Sequence, residues 1–204
     1  MRTKTTVLTR FVIYLAAIFL STFVPSVSAG EYPKSERDFK ALPKYCRAKL
    51  QEGYATQDMH RRYSRGLKGI YGDSHHYCAS MHSFQHADGL IPAKEPKKYW
   101  LGRVIDNIEY MENHSSNKTH KFYAEMYLLK ARALLMQKQV GQAFLYFEKS
   151  LAVNPKYTPA YKEQIKYYRK LNDSKSAIKV VNRGLEQKPN SKSLLRIKSE
   201  LSGN

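Results

Sequence analysis

Cysteine is scarce. Cys46 and Cys78 are the only two in 204 residues, too few for a disulfide-dense miniprotein. The ten glycines form no Gly-rich phosphate loop, since those of the central stretch are scattered between Gly53 and Gly72. No Gly-X-Ser-X-Gly elbow and no Cys-X-X-Cys-His haem motif occurs. Acidic residues number only 17 and lie singly among basic ones, so no carboxylate pair of the glycosidase kind can be nominated. These absences leave no catalytic constellation. The chain reads as a non-enzyme, and no cofactor is implied.

What is present is positive charge and aromatic bulk. Lys and Arg total 35, for a formal net charge of +18, while 42% of residues are hydrophobic and 16 are Tyr. That is enough apolar material for a core, with a surface that faces anionic partners.

The only long apolar run is at the start. Arg2, Lys4 and Arg10 precede a stretch from Phe11 to Val24 broken only by Ser21 and Thr22, and Val27-Ser28-Ala29 supplies small side chains of the kind a signal peptidase reads. Residues 1–29 are therefore expected to be a signal peptide cleaved near Ala29, its apolar core being shorter than the roughly twenty residues a membrane span needs. The alternative is an anchor retained in the chain. The expected destination is a periplasmic or extracellular space, with the processed protein soluble. Of the remaining charge, residues 30–121 hold 16 basic and 11 acidic side chains, and 122–204 hold 16 and 6.

A period of 34 residues organises the C-terminal half. It sets Tyr127 over Tyr161, Ala143 over Ala177, Leu151 over Leu185 and Pro155 over Pro189, with Leu134 over Tyr168 and Phe147 over Val181. Within each unit these residues recur at helical spacing. Breaks are expected at Gln137–Gly141 and Asn172–Ser174, with Ser174 as an N-cap. Residues 122–155 and 156–189 resemble two tetratricopeptide repeats, carried by Tyr127, Ala131, Leu134, Ala143, Phe147 and Pro155 and then Tyr161, Tyr168, Ala177 and Pro189. Ile165 departs from the family's small residue at the crossing of the first helix. The resemblance implies an all-α solenoid of helical hairpins, and residues 190–204 look like its capping helix, with Leu194, Leu195, Ile197 and Leu201.

The N-terminal half is less regular. Residues 30–73 are expected to hold an N-terminal helix, opened by a cap at Ser35 and by Pro43, and then a basic loop from Gly53 to Asp73 bearing Arg61, Arg62, Arg65 and Lys68. Residues 74–121 are expected to form a divergent helical pair, about 74–87 and 97–112, followed by a polar linker. Repeat arrays need about three stacked units for stability, which the pair would supply.

In an oxidising space the two cysteines are expected to join, closing a loop of about thirty residues. The rival reading is a metal site. His75, Cys78, His82 and His86 share one helix face, and His82/His86 has chelating i, i+4 spacing. A disulfide would remove Cys78 from such a set and leave His75, His82 and His86.

A tetratricopeptide array implies a groove lined by the first helix of each pair. In the second repeat that helix carries Lys162, Lys166, Arg169 and Lys170 away from its apolar stripe, and in the first repeat Leu128, Arg132 and Leu135 occupy the comparable face. These seven are the candidate partner-binding residues, apolar at one end and cationic at the other. The expected partner is another protein, held through an acidic segment. The alternative is an anionic envelope glycan or lipid surface held by distributed charge. Nucleic acid is not expected, since no recognition helix or stacking platform is visible. Nothing in the chain indicates its oligomeric state.

Overall fold

Six helices begin where a side chain caps the first turn or a proline, which has no N–H to satisfy, opens it. In the computed structural model, which describes residues 32–203, ten helices and no strand are found among the described residues. The expected signal segment, 1–29, lies outside them. No helix of the described residues is long and apolar enough to cross a membrane.

α1 (Glu36–Lys40) is opened by a capping box: Ser35 Oγ accepts from the Asp38 amide while the Asp38 carboxylate accepts from the Ser35 amide. α2 (Lys44–Leu50) starts directly after Pro43. α3 (Gln57–Gly66) stands where a loop was expected. Thr56 caps it by accepting from the Met59 amide, and Met59, Tyr63 and Leu67 recur at i, i+4, i+8 as an inner stripe. The glycines that suggested a loop bracket this helix instead: Gly53 and Gly69, with φ of 72° and 81°, make the turns on either side.

α4 (Ser74–Ala87) and α5 (Lys97–His114) pack against each other, and α5 runs slightly past its expected end near residue 112. Cys46 on α2 is bonded to Cys78 on α4, both fully buried beside Phe39 and Leu42. This bond ties two helices too short to be stable alone to the longest pair of the N-terminal half.

α6 (Phe122–Met136), α7 (Val140–Val153), α8 (Thr158–Lys170), α9 (Ser174–Gln187) and α10 (Lys192–Ser202) follow in sequence, each packed on its predecessor. Here the 34-residue period reaches the backbone. Lys138 and Asn172, one period apart, are the two non-glycine residues with positive φ among the described residues, at 64° and 55°. Around them the hydrogen bonds repeat: Gln139 N donates to Leu134 O as Asp173 N does to Tyr168 O, and Lys138 N to Leu135 O as Asn172 N does to Arg169 O. The unit ends repeat too, with Asn154 N to Ser150 O matching Lys188 N to Gly184 O. Two local details differ from expectation. The N-cap of α9 is Asp173, whose carboxylate accepts from Ser176 N, and Gly141 lies inside α7 rather than in the break before it.

The core follows from this layout. Ala143 and Ala177 are fully buried, and so are Phe147 and Val181. Gly184 admits α10: a Cβ there would fall 2.7 Å from Leu194 Cδ1 and 3.1 Å from Tyr161 Cγ. Between the irregular and periodic halves lies a buried charge. Lys130 on α6 is 1% exposed, and its Nζ donates to Glu109 Oε1 (2.8 Å), Glu112 Oε2 (3.0 Å) and Tyr146 Oη (2.6 Å). Burial works against its ammonium form, but Glu109, Tyr146 and Glu112 outweigh that and raise its pKa.

Two outcomes test this account. Replacing both Cys46 and Cys78 by Ser should lower unfolding free energy by about 3–4 kcal/mol, read by denaturant titration of the oxidised wild type against the variant. Lys138→Gly should raise the midpoint, gaining roughly 0.5–1 kcal/mol by relieving a left-handed lysine; Asn172 already has a side chain suited to that conformation.

Candidate partner-binding groove

The first helices of successive pairs, α4, α6 and α8, present one side to a continuous depression that α10 extends. Three adjoining clefts occupy it. The central one, about 440 Å³, is walled by Phe84, Arg132, Leu135, Glu163, Lys166 and Lys170. Toward α10 a second of about 580 Å³ takes in Lys162, Lys166, Arg169, Lys170 and Arg196. Toward α4 a third of about 280 Å³ is bounded by Tyr77, Phe84, Glu125, Leu128, Arg132 and Tyr157. All seven residues singled out from the spacing thus line one or another of these clefts.

Their availability differs. Leu128 is 8% exposed and belongs to the core with Ala131, Phe147 and Leu151, so it offers little surface, whereas Leu135 is half-buried. Arg132 is held in place, its Cζ 4.4 Å from the Phe84 ring centroid and its Nε 3.8 Å from Glu163 Oε1. Arg169 is bound to Glu200 at 2.8 Å. Lys162, Lys166 and Lys170 are exposed and form no ion pair among the described residues. They stand one helical turn apart, about 6 Å in rise, along the open side of α8.

The opposite end has different chemistry. Burial raises the pKa of the Glu125 carboxyl, with Lys121 pulling it back in part. The depression therefore runs from an apolar end bearing one disfavoured carboxylate to a ladder of unpaired ammonium groups.

Phe84, Lys97, Tyr167 and Arg196 were not anticipated. Phe84 and Lys97 lie outside the 34-residue period and reach the groove only through the packing of α4 and α5 on α6. Tyr167 had a faint signal, an aromatic one position off the inward stripe; its ring meets Phe144 at 5.3 Å.

The three histidines do not converge on one point: His82 and His86 meet edge to face with ring centroids 4.7 Å apart, but His75, about two to three turns earlier on α4, donates Nδ1–H to Gly72 O and stacks on Tyr32. His86 stacks on Trp100 with centroids 4.1 Å apart, and His82 Nε2 is 3.9 Å from Asp38 Oδ1. No group of three or more His, Cys, Asp or Glu able to hold a metal occurs among the described residues, where both cysteines are spent in the disulfide. A separate row of rings joins α4 to α5: His75, His76, Tyr110 and His114 lie in succession at centroid distances of 4.2, 3.9 and 4.0 Å, the first two contacts tilted and the last stacked. Asn107 Nδ2 donates to Arg103 O, which leaves its Oδ1 to accept from His76 Nδ1 at 2.9 Å.

No protein-family model, no curated protein and no solved structure matches this chain.

The ring row generates a pH dependence. Burial holds the His76 pKa below its usual 6.5, with the Asn107 hydrogen bond and Asp73 opposing and His75 and His114 reinforcing the shift. A base with a lowered folded pKa binds fewer protons folded than unfolded just below 6.5. Its stabilising effect is therefore complete above that value and declines as pH falls through it. The urea midpoint should drop between about pH 7 and about pH 5, and His76→Gln should flatten that drop.

Proposed function

We propose that this chain is an exported, non-catalytic adaptor built on tetratricopeptide-type repeats, which holds an acidic segment of another protein in the groove along α6, α8 and α10. The observation that carries the reading is the ladder of Lys162, Lys166 and Lys170. It lies exposed and without ion pairs among the described residues, one turn apart, beside a mixed cleft that includes Leu135 and the Arg132–Phe84 stack.

The physical case is charge complementarity at a concave face. Two acids beside the ladder are already engaged, Glu163 by Arg132 and Glu200 by Arg169 and Arg196, and Asp88 across the central cleft forms no ion pair with it among the described residues. Like charges at i, i+4 destabilise a helix, so the ladder is a cost to α8 that a bound anionic segment would offset. An extended peptide places alternate side chains roughly 6.6 Å apart, close to the 6 Å rise of one helical turn. A segment acidic at every second residue, with an apolar side chain for the central cleft, matches the groove. The 34-residue recurrence of turns and caps supports the repeat assignment, and the disulfide suits an oxidising compartment.

The test uses a fluorescein-labelled peptide alternating glutamate with serine and ending in leucine, titrated by anisotropy. Lys162→Glu with Lys166→Glu should weaken binding roughly tenfold or more while leaving the melting curve unchanged. Equal affinity of a folded double variant would refute the reading.

A further inference from the structure

We propose that the outward face of α3, with Arg61, Arg62 and Arg65 and the following Lys68, docks the chain on an anionic phospholipid surface through the lipid phosphates. This surface is separate from the groove, and none of the three clefts described above includes an α3 residue.

α3 is divided sharply into two faces. At about 100° per residue, Met59, Tyr63 and Leu67 fall on one side and Arg61 and Arg65 on the other, with Arg62 at its flank. The apolar side is already used. Tyr63 meets Tyr45 of α2 with ring centroids 6.4 Å apart, and Leu67 packs on the main core. The helix is thus laid flat on the body of the protein, with its arginines facing solvent.

Those arginines are uncompensated. Among the described residues the single ion pair on this face joins Arg61 to Asp58 at 3.6 Å, between two exposed side chains, and is worth little in water. Arg62, Arg65 and Lys68 are exposed and form no ion pair among the described residues. Arg61/Arg65 and Arg62/Arg65 are like-charge pairs at i, i+4 and i, i+3, which weaken a helix that buries no side chain fully. A local rule broken without internal compensation is the mark of a functional surface. Lys49, with Nζ 4.9 Å from the Tyr71 ring centroid, adds a further cation on neighbouring α2.

The occupant follows from shape and chemistry. An exposed cationic strip outside the clefts described above suits a broad surface of phosphates rather than an enclosed ligand. Guanidinium groups pair with phosphate in bidentate geometry, and polybasic strips of this size bind anionic leaflets through cumulative charge. Because the apolar face is occupied within the protein, attachment is electrostatic and involves no insertion of α3.

The experiment is co-sedimentation of the exported protein, processed near Ala29, with vesicles of phosphatidylcholine, with and without phosphatidylglycerol. At roughly fivefold per cation, Arg62→Gln with Arg65→Gln should weaken partitioning about 30-fold on the phosphatidylglycerol vesicles. Arg62→Lys with Arg65→Lys should keep most of the binding, and Lys162→Gln with Lys166→Gln should leave it unchanged. Melting curves for all variants establish that they are folded. The proposal is overturned if the groove variant loses as much binding as the α3 variant, because the attraction is then distributed. It is equally overturned if wild type ignores the vesicles and retains only a soluble polyanion such as heparin.

Discussion

The ammonium group of Lys130 is the contact on which the arrangement of the two halves depends. It is buried on α6 and can exist there as a cation only because Glu109 and Glu112 of α5 and Tyr146 of α7 surround it. Glu112 is in turn bound by Lys149 and by the Tyr146 hydroxyl. Burial alone would raise the Glu112 pKa, but Lys130 and Lys149 overcome it and hold the carboxyl below its usual value. Such a network tolerates little sliding, since a helix shifted by one turn would leave a buried charge without a partner. It sets α5 against α6 and α7, where sequence periodicity ends.

That register has consequences for the surface. With α5 fixed on α6, its partner α4 brings Phe84 beneath Arg132, and the guanidinium is stacked and ion-paired rather than free. The groove proposed for a peptide therefore owes its closed end to the N-terminal half and its cationic end to α8. The same half carries α3, held by Thr56 at its start and by Tyr63 and Leu67 along its inner side, and the Cys46–Cys78 bond anchors α2 beneath it. Two cationic surfaces thus result from different causes, one a helix ladder inside a groove, the other a stripe on an outer helix.

Much of the C-terminal half was legible in the chain. The matches of Tyr127 with Tyr161 and Ala143 with Ala177 predict helices at α6 to α9, and repeated turns at Lys138 and Asn172 join them. Spacing alone also picked out Lys162, Lys166, Arg169 and Lys170 on one side of α8. The reading was weaker where residues carry two meanings. Glycines at 53, 66, 69 and 72 suggested a loop, although Gly66 ends and the other three flank a helix whose cap at Thr56 and stripe at Met59 and Tyr63 were in view. Four residues of His75–His86 shared a helix face, but a face of that length spans several turns, and neighbours such as Trp100 and Asp38 take up the rings.

The sequence by itself determined the helices, their caps and turns, the 34-residue period and the face on which each charge falls, because these are local properties with short, regular spacing. Tertiary structure alone decided which cations are spent and which are free. Arg132 and Arg169 read like Lys166 and Lys170 in the chain, yet the first two meet Glu163 and Glu200 while the lysines meet no acid among the described residues. It also decided that Leu128 is core and that Phe84 closes the groove. The physical reason is that ion pairing and burial depend on what lies within a few ångströms in space, and residues 84, 132 and 163 become neighbours only when α4, α6 and α8 pack together.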